Sequence, residues 1–125
     1  MLEDQEGFHI TVCQRVIHYF PWHQALDLLN QIHRWMHPEG KLYIGVSGLA
    51  SELGQNYAGT LINVEQRFST LSPLMQELHG IRAPVCLYRP EELERLLKTA
   101  RLRCESIHTS SFGNLKATAR PVASD

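Results

Sequence analysis

A strand, a helix and a second strand follow one another in the first 47 residues, and this order constrains the fold more than any other feature. Residues 8–13 (FHITVC) are rich in aromatic and β-branched side chains, which predicts a strand. Pro21 opens a helical pattern in which apolar side chains recur every three or four residues up to Met36. Residues 41–47 (KLYIGVS) have the apolar character of a strand buried on both faces. Residues 8–47 therefore predict a βαβ unit with parallel strands.

The remainder of the chain adds an irregular segment, a helix and a hairpin. The sequence Pro38-Glu39-Gly40 predicts the end of the first helix. Residues 48–88 contain six glycines and prolines and one short helix pattern, from Ser72-Pro73 to Gly80. A connection of this length is typical of lids and binding loops, and the alternative is ordinary helical packing on the sheet. Residues 89–121 predict an amphipathic helix followed by an antiparallel β-hairpin.

These elements predict one α/β domain over residues 1–125. With residues 102–109 and 115–120 paired as a hairpin, we expect four strands in the spatial order first, second, fourth, third. The strand at residues 9–13 then lies at the edge of the sheet, and it is apolar, without proline or lysine to discourage pairing. We therefore expect a homodimer, or poor solubility without a partner.

Composition and charge disfavour several classes of protein. The chain has 12 basic and 13 acidic residues and a net charge of −1, whereas a nucleic-acid-binding protein usually carries a basic excess. No apolar run approaches the roughly 20 residues that span a bilayer, and the acidic N-terminus does not resemble a secretory signal. Three widely spaced cysteines without a CxxC pair indicate a reducing compartment. We expect a cytoplasmic protein with neither a nucleic-acid nor a membrane partner.

No metal site is expected from the histidines. His33 and His37 are four residues apart in the predicted helix and would share one face, where such a pair can grip a metal ion. Arg34 follows His33, whereas the HExxH motif of metalloproteases has a glutamate at that place, and the sequence indicates no third ligand. A solvated helix end is the simpler interpretation. The two tryptophans, Trp22 and Trp35, are expected to pack in the core.

Four segments of the chain resemble segments of the class I S-adenosylmethionine-dependent methyltransferases. Their order and spacing match those of the C-terminal half of that family's fold. They cover the family's fourth strand and following turn, the turn into its fifth strand, its last helix and its closing hairpin. In this chain they are Phe8–Phe20, Trp35–Leu42, Tyr88–Leu102 and Phe112–Ala117. The resemblance implies a partial Rossmann-like fold: a βαβ unit, a helical excursion over residues 48–88, and a helix with a hairpin over residues 89–121.

The same resemblance implies methyl transfer from S-adenosylmethionine to a small molecule. The long excursion and the lack of a basic patch favour a small-molecule acceptor over nucleic acid. The family's glycine-rich cofactor loop is absent, since no GxG occurs in the 125 residues. The resemblance thus covers about half of the family's fold, and implies a truncated form or a fragment that lacks the N-terminal half and binds the cofactor weakly or not at all. The alternatives are a non-catalytic partner subunit that self-associates and an unrelated doubly wound α/β protein.

Three residues depart from the family's pattern. His9 occupies the place of an aspartate, Glu39 that of a turn glycine, and Arg101 that of the glycine that commonly caps the last helix. Glu39 predicts a turn with negative φ, such as type I. Arg101 predicts a different exit from the helix, because a left-handed cap favours glycine.

Candidate site residues follow the first strand, since ligands of open α/β sheets bind beyond the carboxyl ends of the strands. The resemblance places Cys13, Gln14 and Arg15 alongside the methionine portion of the cofactor; alternatively, Gln14 and Arg15 only begin a loop. His18 and Tyr19 come next as candidate catalytic residues, because either could face a substrate and accept or relay its proton. The alternative for His18 is a hydrogen-bonded histidine at the start of a helix.

Overall fold

The computed structural model describes residues 6–123, and its four strands form one mixed sheet. The sheet has the predicted order β1-β2-β4-β3, with β1 parallel to β2 and both other pairings antiparallel. None of the helices in the described part of the chain is long and apolar enough to cross a bilayer. The elements are β1 (Phe8–Gln14), α1 (Trp22–Trp35), β2 (Met36–Ser47), α2 (Pro73–His79), α3 (Pro90–Thr99), β3 (Leu102–Thr109) and β4 (Asn114–Pro121).

The first helix ends earlier than predicted. It stops at Trp35, and the residues expected to form its stop, Pro38-Glu39-Gly40, belong to β2. Pro38 disfavours helical geometry at His37, the residue before it. The backbone is already extended one residue earlier, at Met36. Phe8 pairs with Met36 and Ile10 with Lys41, so β2 bulges between these pairs. Glu39, within this bulge, does not have a positive φ, as expected.

This earlier helix end separates two histidines that were expected to share a helix face. His33 lies in α1 and its Nε2 is 3.0 Å from the carbonyl oxygen of Val122, whereas His37 lies in β2 and its Nδ1 accepts a 3.0 Å hydrogen bond from the Glu39 N–H. The prediction of an i,i+4 pair was therefore wrong. Trp35, expected in the core, is more than half exposed, while Trp22 is buried as predicted.

The main core lies between one face of the sheet and the helices α1 and α3. Apolar side chains that recur every three or four residues in α1 and α3 are buried. They pack against alternate residues of β2 and β4. The opposite face of the sheet is open: Ile10 and Val12 on β1 are 67% and 62% exposed. The buried set includes Ala25, Leu29, Leu42, Ile44, Leu93, Leu96, Leu97, Leu115 and Ala117.

The exit from α3 differs from the prediction. Arg101 adopts the left-handed conformation, with φ of 64°, although the sequence predicted a different exit because this conformation favours glycine. Its N–H donates to Lys98 O over 2.9 Å and its carbonyl accepts a 2.8 Å bond from Val122 N–H. These two bonds, to the helix and to the chain after β4, stabilise a conformation that costs a non-glycine residue about 1–2 kcal/mol.

Residues 48–88 pack as an irregular layer with a small core of its own. The segment contains three 3₁₀ turns and α2, which is capped by Ser72 at its start and by a left-handed Gly80 at its end, as predicted. Arg67 is 1% exposed and donates to the carbonyls of Gly59 and Leu87 and to the carboxylate of Glu92 on α3. This arrangement supports ordinary packing for much of the segment. The small core consists of Leu53, Tyr57, Leu71, Met75, Val85 and Leu87.

Candidate functional site

A cavity of about 390 Å³ opens beyond the carboxyl ends of β1 and β2, where ligands of open α/β sheets bind. Its volume falls within the range of about 300–1,000 Å³ that is usual for small-molecule sites. Three parts of the chain form its wall: the ends of β1 and β2, the irregular segment, and the β3–β4 hairpin. The lining residues are Arg15, Ser47, Ser51, Glu52, Leu53, His79, Phe112 and Asn114.

Arg15 brings a positive charge to this cavity. It follows β1 in the left-handed conformation, with φ of 58°, and its N–H donates to Gly45 O over 2.9 Å. Within residues 6–123 its guanidinium forms neither an ion pair nor a hydrogen bond. Non-glycine residues in this conformation often occur at functional sites. The cavity therefore has a cation that is free to bind an anion.

Ser47, at the end of β2, places a buried hydroxyl against the same cavity. Its N–H donates to Nδ1 of His18 over 3.1 Å, and its carbonyl accepts a bond from Tyr88 N–H over 3.3 Å. The side chain is 1% exposed, and its Oγ has no hydrogen-bond partner in the described part of the chain. Because an unsatisfied buried hydroxyl costs about 1–3 kcal/mol, this atom marks a place where a ligand group would be stabilised.

His79 and Glu52 form a pair on the cavity wall that the sequence analysis missed. His79 Nε2 lies 2.8 Å from Glu52 Oε1, although the residues are 27 positions apart. An ionised carboxylate only accepts hydrogen bonds, so Nε2 carries the donated hydrogen and the lone pair of a neutral ring is at Nδ1. No hydrogen bond within residues 6–123 engages this Nδ1. No local motif could have predicted the pair, because irregular chain joins the two residues.

The candidate catalytic residues His18 and Tyr19 lie in a 3₁₀ turn after β1. His18 is 1% exposed, and its Nδ1 already accepts the Ser47 N–H, so a neutral ring carries its proton on Nε2. Burial, with a smaller contribution from the Arg15 charge, lowers the pKa of His18 to about 4. Tyr19 is partly exposed and its ring contacts His18 at a centroid distance of 4.4 Å. Neither lines the cavity, which favours a positioning role for His18; proton transfer by either residue stays a prediction.

The candidate cofactor residues Cys13, Gln14 and Arg15 lie in different surroundings. Cys13 is buried in the main core, which raises the pKa of its thiol, whereas Gln14 and Arg15 are exposed. Gln14 lies over Gly45, where an added Cβ would be 2.2 Å from Gln14 Oε1. Gln14 and Arg15 could line one side of a cofactor site, but no glycine-rich loop is present to form the other side. The residues of this chain fit only part of S-adenosylmethionine.

Comparisons with solved structures identify the fold. The chain matches the CcbJ methyltransferase from Streptomyces caelestis with a TM-score of 0.62 and 15% identity, covering 95% of this chain and 59% of that one. It matches the PH0226 protein from Pyrococcus horikoshii with a TM-score of 0.68 and 14% identity over 93% and 52% of the two chains. It also matches LepI, solved in complex with SAM, with a TM-score of 0.58 and 19% identity over 93% and 27%.

The chain spans between about a quarter and three fifths of these structures, the covered share being 27% for LepI and 59% for CcbJ. No family model matches the chain, and no curated protein matches it in sequence. The structural likeness and the order of the elements confirm the predicted fold: a class I methyltransferase-like fold, of which this chain has the C-terminal part.

Proposed function

We propose that this chain forms the acceptor-binding part of an S-adenosylmethionine-dependent methyltransferase that acts on a small molecule. The observation that carries the proposal is the buried hydroxyl of Ser47, which has no partner in residues 6–123 and lines a cavity at the carboxyl edge of a methyltransferase-like sheet. The cavity has the size of a small-molecule site and no cluster of lysines and arginines, which favours a small acceptor over nucleic acid.

The residues of the cavity would bind and orient the acceptor. Arg15 would provide a charge for an anionic group, and Ser47, whose buried Oγ has no partner in the described residues, would offer a hydrogen bond. The irregular segment is held to α3 by Arg67 and Glu92, and it contributes Ser51, Glu52, Leu53 and His79 to the cavity wall. When bound, the cofactor supplies an electrophilic methyl group, so alignment and desolvation of the acceptor are the main tasks of the protein.

Gln14 and Arg15 would also form the edge of the cofactor site, with Arg15 between the cofactor and the acceptor, and buried Cys13 would support them. The glycine-rich wall would come from a chain or segment other than residues 6–123. The chain alone is then inactive, and S-adenosylmethionine binds weakly to it or not at all. All three cysteines are free thiols, which supports a cytoplasmic location.

The test uses the protein as it is expressed from its own gene, incubated with methyl-labelled S-adenosylmethionine and a small-molecule extract of the same cells. We expect labelled methyl groups in small molecules, detected by mass spectrometry. Arg15→Gln and Ser47→Ala should reduce this labelling, whereas His33→Ala, far from the cavity, should not. Labelling of nucleic acid or protein instead would overturn the assignment of the acceptor. Residues 1–125 alone should transfer no methyl group, so a lack of transfer overturns the enzymatic function only when the glycine-rich part of the fold is also present in the assay.

A non-catalytic subunit that pairs with a second copy is the alternative function, and the free edge of β1 favours it. An apolar groove of about 390 Å³ follows this edge between β1 and α1. Phe8, Val12 and Trp35 line the groove and are more than half exposed. A free apolar edge strand is a template for pairing with another chain. Self-association without methyl transfer would favour this alternative.

A further inference from the structure

We propose that the open face of the sheet binds an amphipathic helix of a second polypeptide, one that is apolar along one side and carries a row of carboxylates beside it. The open face is the side of the four strands turned away from α1 and α3. Its chemistry changes across the sheet, from apolar side chains on β1 to cations on β4 and β3. This inference goes beyond the proposed function and does not depend on methyl transfer.

The strand register determines which side chains share the open face. Successive side chains of a strand point to opposite faces, so residues paired across neighbouring strands lie on the same face. Val12 of β1 pairs with Tyr43 of β2, and Tyr43 pairs with Thr118 of β4. Thr118 in turn pairs with Ser106 of β3, and the hydroxyl oxygens of these two residues are 2.7 Å apart. One row of side chains therefore crosses all four strands on this face.

The β1 side of the open face is apolar. Ile10 and Val12 alternate along the strand and are 67% and 62% exposed. Tyr43, beside Val12 on β2, is 38% exposed. Contiguous apolar side chains at a protein surface often mark an interaction site. This side of the face thus offers an apolar stripe to a partner.

The other side of the face has a cluster of cations around a single carboxylate. Glu105 of β3 lies 2.9 Å from Arg120, 3.7 Å from Lys41 and 3.8 Å from Arg103. Arg103 and Arg120 are also directly paired across β3 and β4. One carboxylate offsets one of these three charges, and the side chains of Arg103 and Arg120 are 64% and 37% exposed. The cluster therefore keeps an excess of positive charge.

Lys116 extends this positive charge along β4. It pairs with Gly45 of β2 and with His108 of β3, is exposed, and forms no ion pair within residues 6–123. Glu39, exposed in the bulge of β2, lies at the end of the face, where its carbonyl accepts a bond from Arg120. Even with Glu39 counted, four cations share the face with two carboxylates, whereas the whole chain has a net charge of −1. The electrostatic complement of this side is an acidic partner.

A helix complements both sides of the face at once. Neighbouring strands are about 4.8 Å apart, so β1 and β4 are separated by about 10 Å, the diameter of a helix with its side chains. A helix over β1 and β2 can bring carboxylates on its flank above Lys116 and Arg103. A strand added at the edge of β1 would leave these cations without a partner, and a nucleic acid would leave Ile10 and Val12 without one. A second copy in a symmetric, face-to-face dimer would repeat the same charges.

The test titrates the whole chain with a labelled, alanine-based helical peptide of about 20 residues, which has leucines every three or four positions and glutamates along one flank. The comparison peptide has lysines in place of the glutamates. We expect fluorescence anisotropy to show that the glutamate peptide binds about tenfold more tightly, by a factor that falls as the salt concentration rises. Equal or tighter binding of the lysine peptide would overturn the proposal.

Single substitutions test the two sides of the face. Lys116→Glu should weaken binding of the glutamate peptide about tenfold, whereas Lys98→Glu makes the same change of charge on α3 and should leave it unchanged. Ile10→Thr keeps a β-branched residue in the strand and should weaken both peptides, whereas Leu61→Thr, at a side chain 95% exposed in the irregular segment, should not. Equal affinities of the face variants and their controls would contradict the inference. Thermal melts show which variants fold, and Lys116→Gln replaces Lys116→Glu if the latter does not.

Two further measurements distinguish other occupants of the face. A single-stranded RNA that binds more tightly than the glutamate peptide, and less tightly to Lys116→Glu, would overturn the proposal in favour of a nucleic acid. A dimer that Lys116→Glu dissociates in sedimentation equilibrium would show that a second copy covers the face, which would overturn it as well. A dimer that still binds the glutamate peptide supports the proposal, because the face is then free of the second copy.

Discussion

The guanidinium of Arg67 holds the carboxylate of Glu92 with two hydrogen bonds, of 2.6 and 3.0 Å, although Arg67 lies in the irregular segment and Glu92 in the first turn of α3. Glu92 also accepts the N–H of Arg89 over 2.8 Å. Burial alone would raise the pKa of Glu92, but the hydrogen bonds from Arg67 and Arg89 outweigh it and lower that pKa. The pair therefore fixes the wall of the cavity to the helical layer.

Replacing Arg67 should break this attachment and lower the free energy of unfolding. Arg67→Met leaves the Gly59 and Leu87 carbonyls and part of the Glu92 carboxylate without a donor, and breaking a buried pair of this kind costs about 3–5 kcal/mol. Urea unfolding at neutral pH measures the loss. The exposed pair of Arg82 with Glu77, at 3.8 Å, gives the control Arg82→Met, for which the loss should stay below about 1 kcal/mol. Similar losses for the two variants would contradict the role of Arg67; where Arg67→Met does not fold, Arg67→Lys provides the comparison.

The buried imidazole of His18 should make stability depend on pH. Its pKa is about 4 in the folded protein and 6.5 in the unfolded chain, so the unfolded state binds the extra proton first. Stability is full above about 6.5 and falls as the pH decreases toward 4, by on the order of 3 kcal/mol. Unfolding by urea across this range should show a weaker pH dependence in His18→Asn, whose amide oxygen can still accept the Ser47 N–H. Exposed His23→Asn should behave as wild type; an unchanged slope in His18→Asn would disprove the assignment.

The free edge of β1 should support self-association. Sedimentation equilibrium at micromolar concentration should detect a homodimer, and Val12→Lys should shift it to monomer because the new charge would be buried at the paired edge. His108→Lys, on the opposite edge strand β3, is the control and should remain dimeric. A monodisperse wild-type monomer with a cooperative melt would show that another part of the chain protects this edge.

The chain alone should not bind S-adenosylmethionine tightly. In the proposed function Gln14 and Arg15 provide only one side of a cofactor site, and the sequence has no GxG loop to provide the other. Titration calorimetry with the isolated chain should give a dissociation constant weaker than micromolar. A complete class I methyltransferase measured in the same buffer is the positive control. Micromolar or tighter binding would mean that these residues form a larger part of the pocket than we infer.

Local patterns in the sequence predicted most of the fold. The elements themselves, α2 with its Ser72 cap and the buried leucines of α3 follow from periodicity and capping residues, which act over a few positions. The order of the strands in the sheet, which joins distant parts of the chain, agrees with the family resemblance. The exit from α3 could not be predicted in this way, because a bond from Val122 stabilises the left-handed Arg101.

Only part of the candidate site could be predicted. Arg15 was found because it follows a strand, and the position of a strand end is visible in the sequence. The His79–Glu52 and Arg67–Glu92 pairs join residues 27 and 25 positions apart across irregular chain. No periodic pattern brings such residues together; the packing of residues 48–88 does.

The absence of a side chain at Gly45 determines where the amide of Gln14 rests. A methyl group at position 45 would come 2.2 Å from Gln14 Oε1, which is the free end of a flexible side chain. Gly45→Ala would therefore displace the Gln14 amide, which lines the same cleft as Arg15 and Lys116, rather than the backbone of β2. The size of the residue at position 45 therefore sets the shape of this cleft. A change there alters the cleft while the core remains as it was.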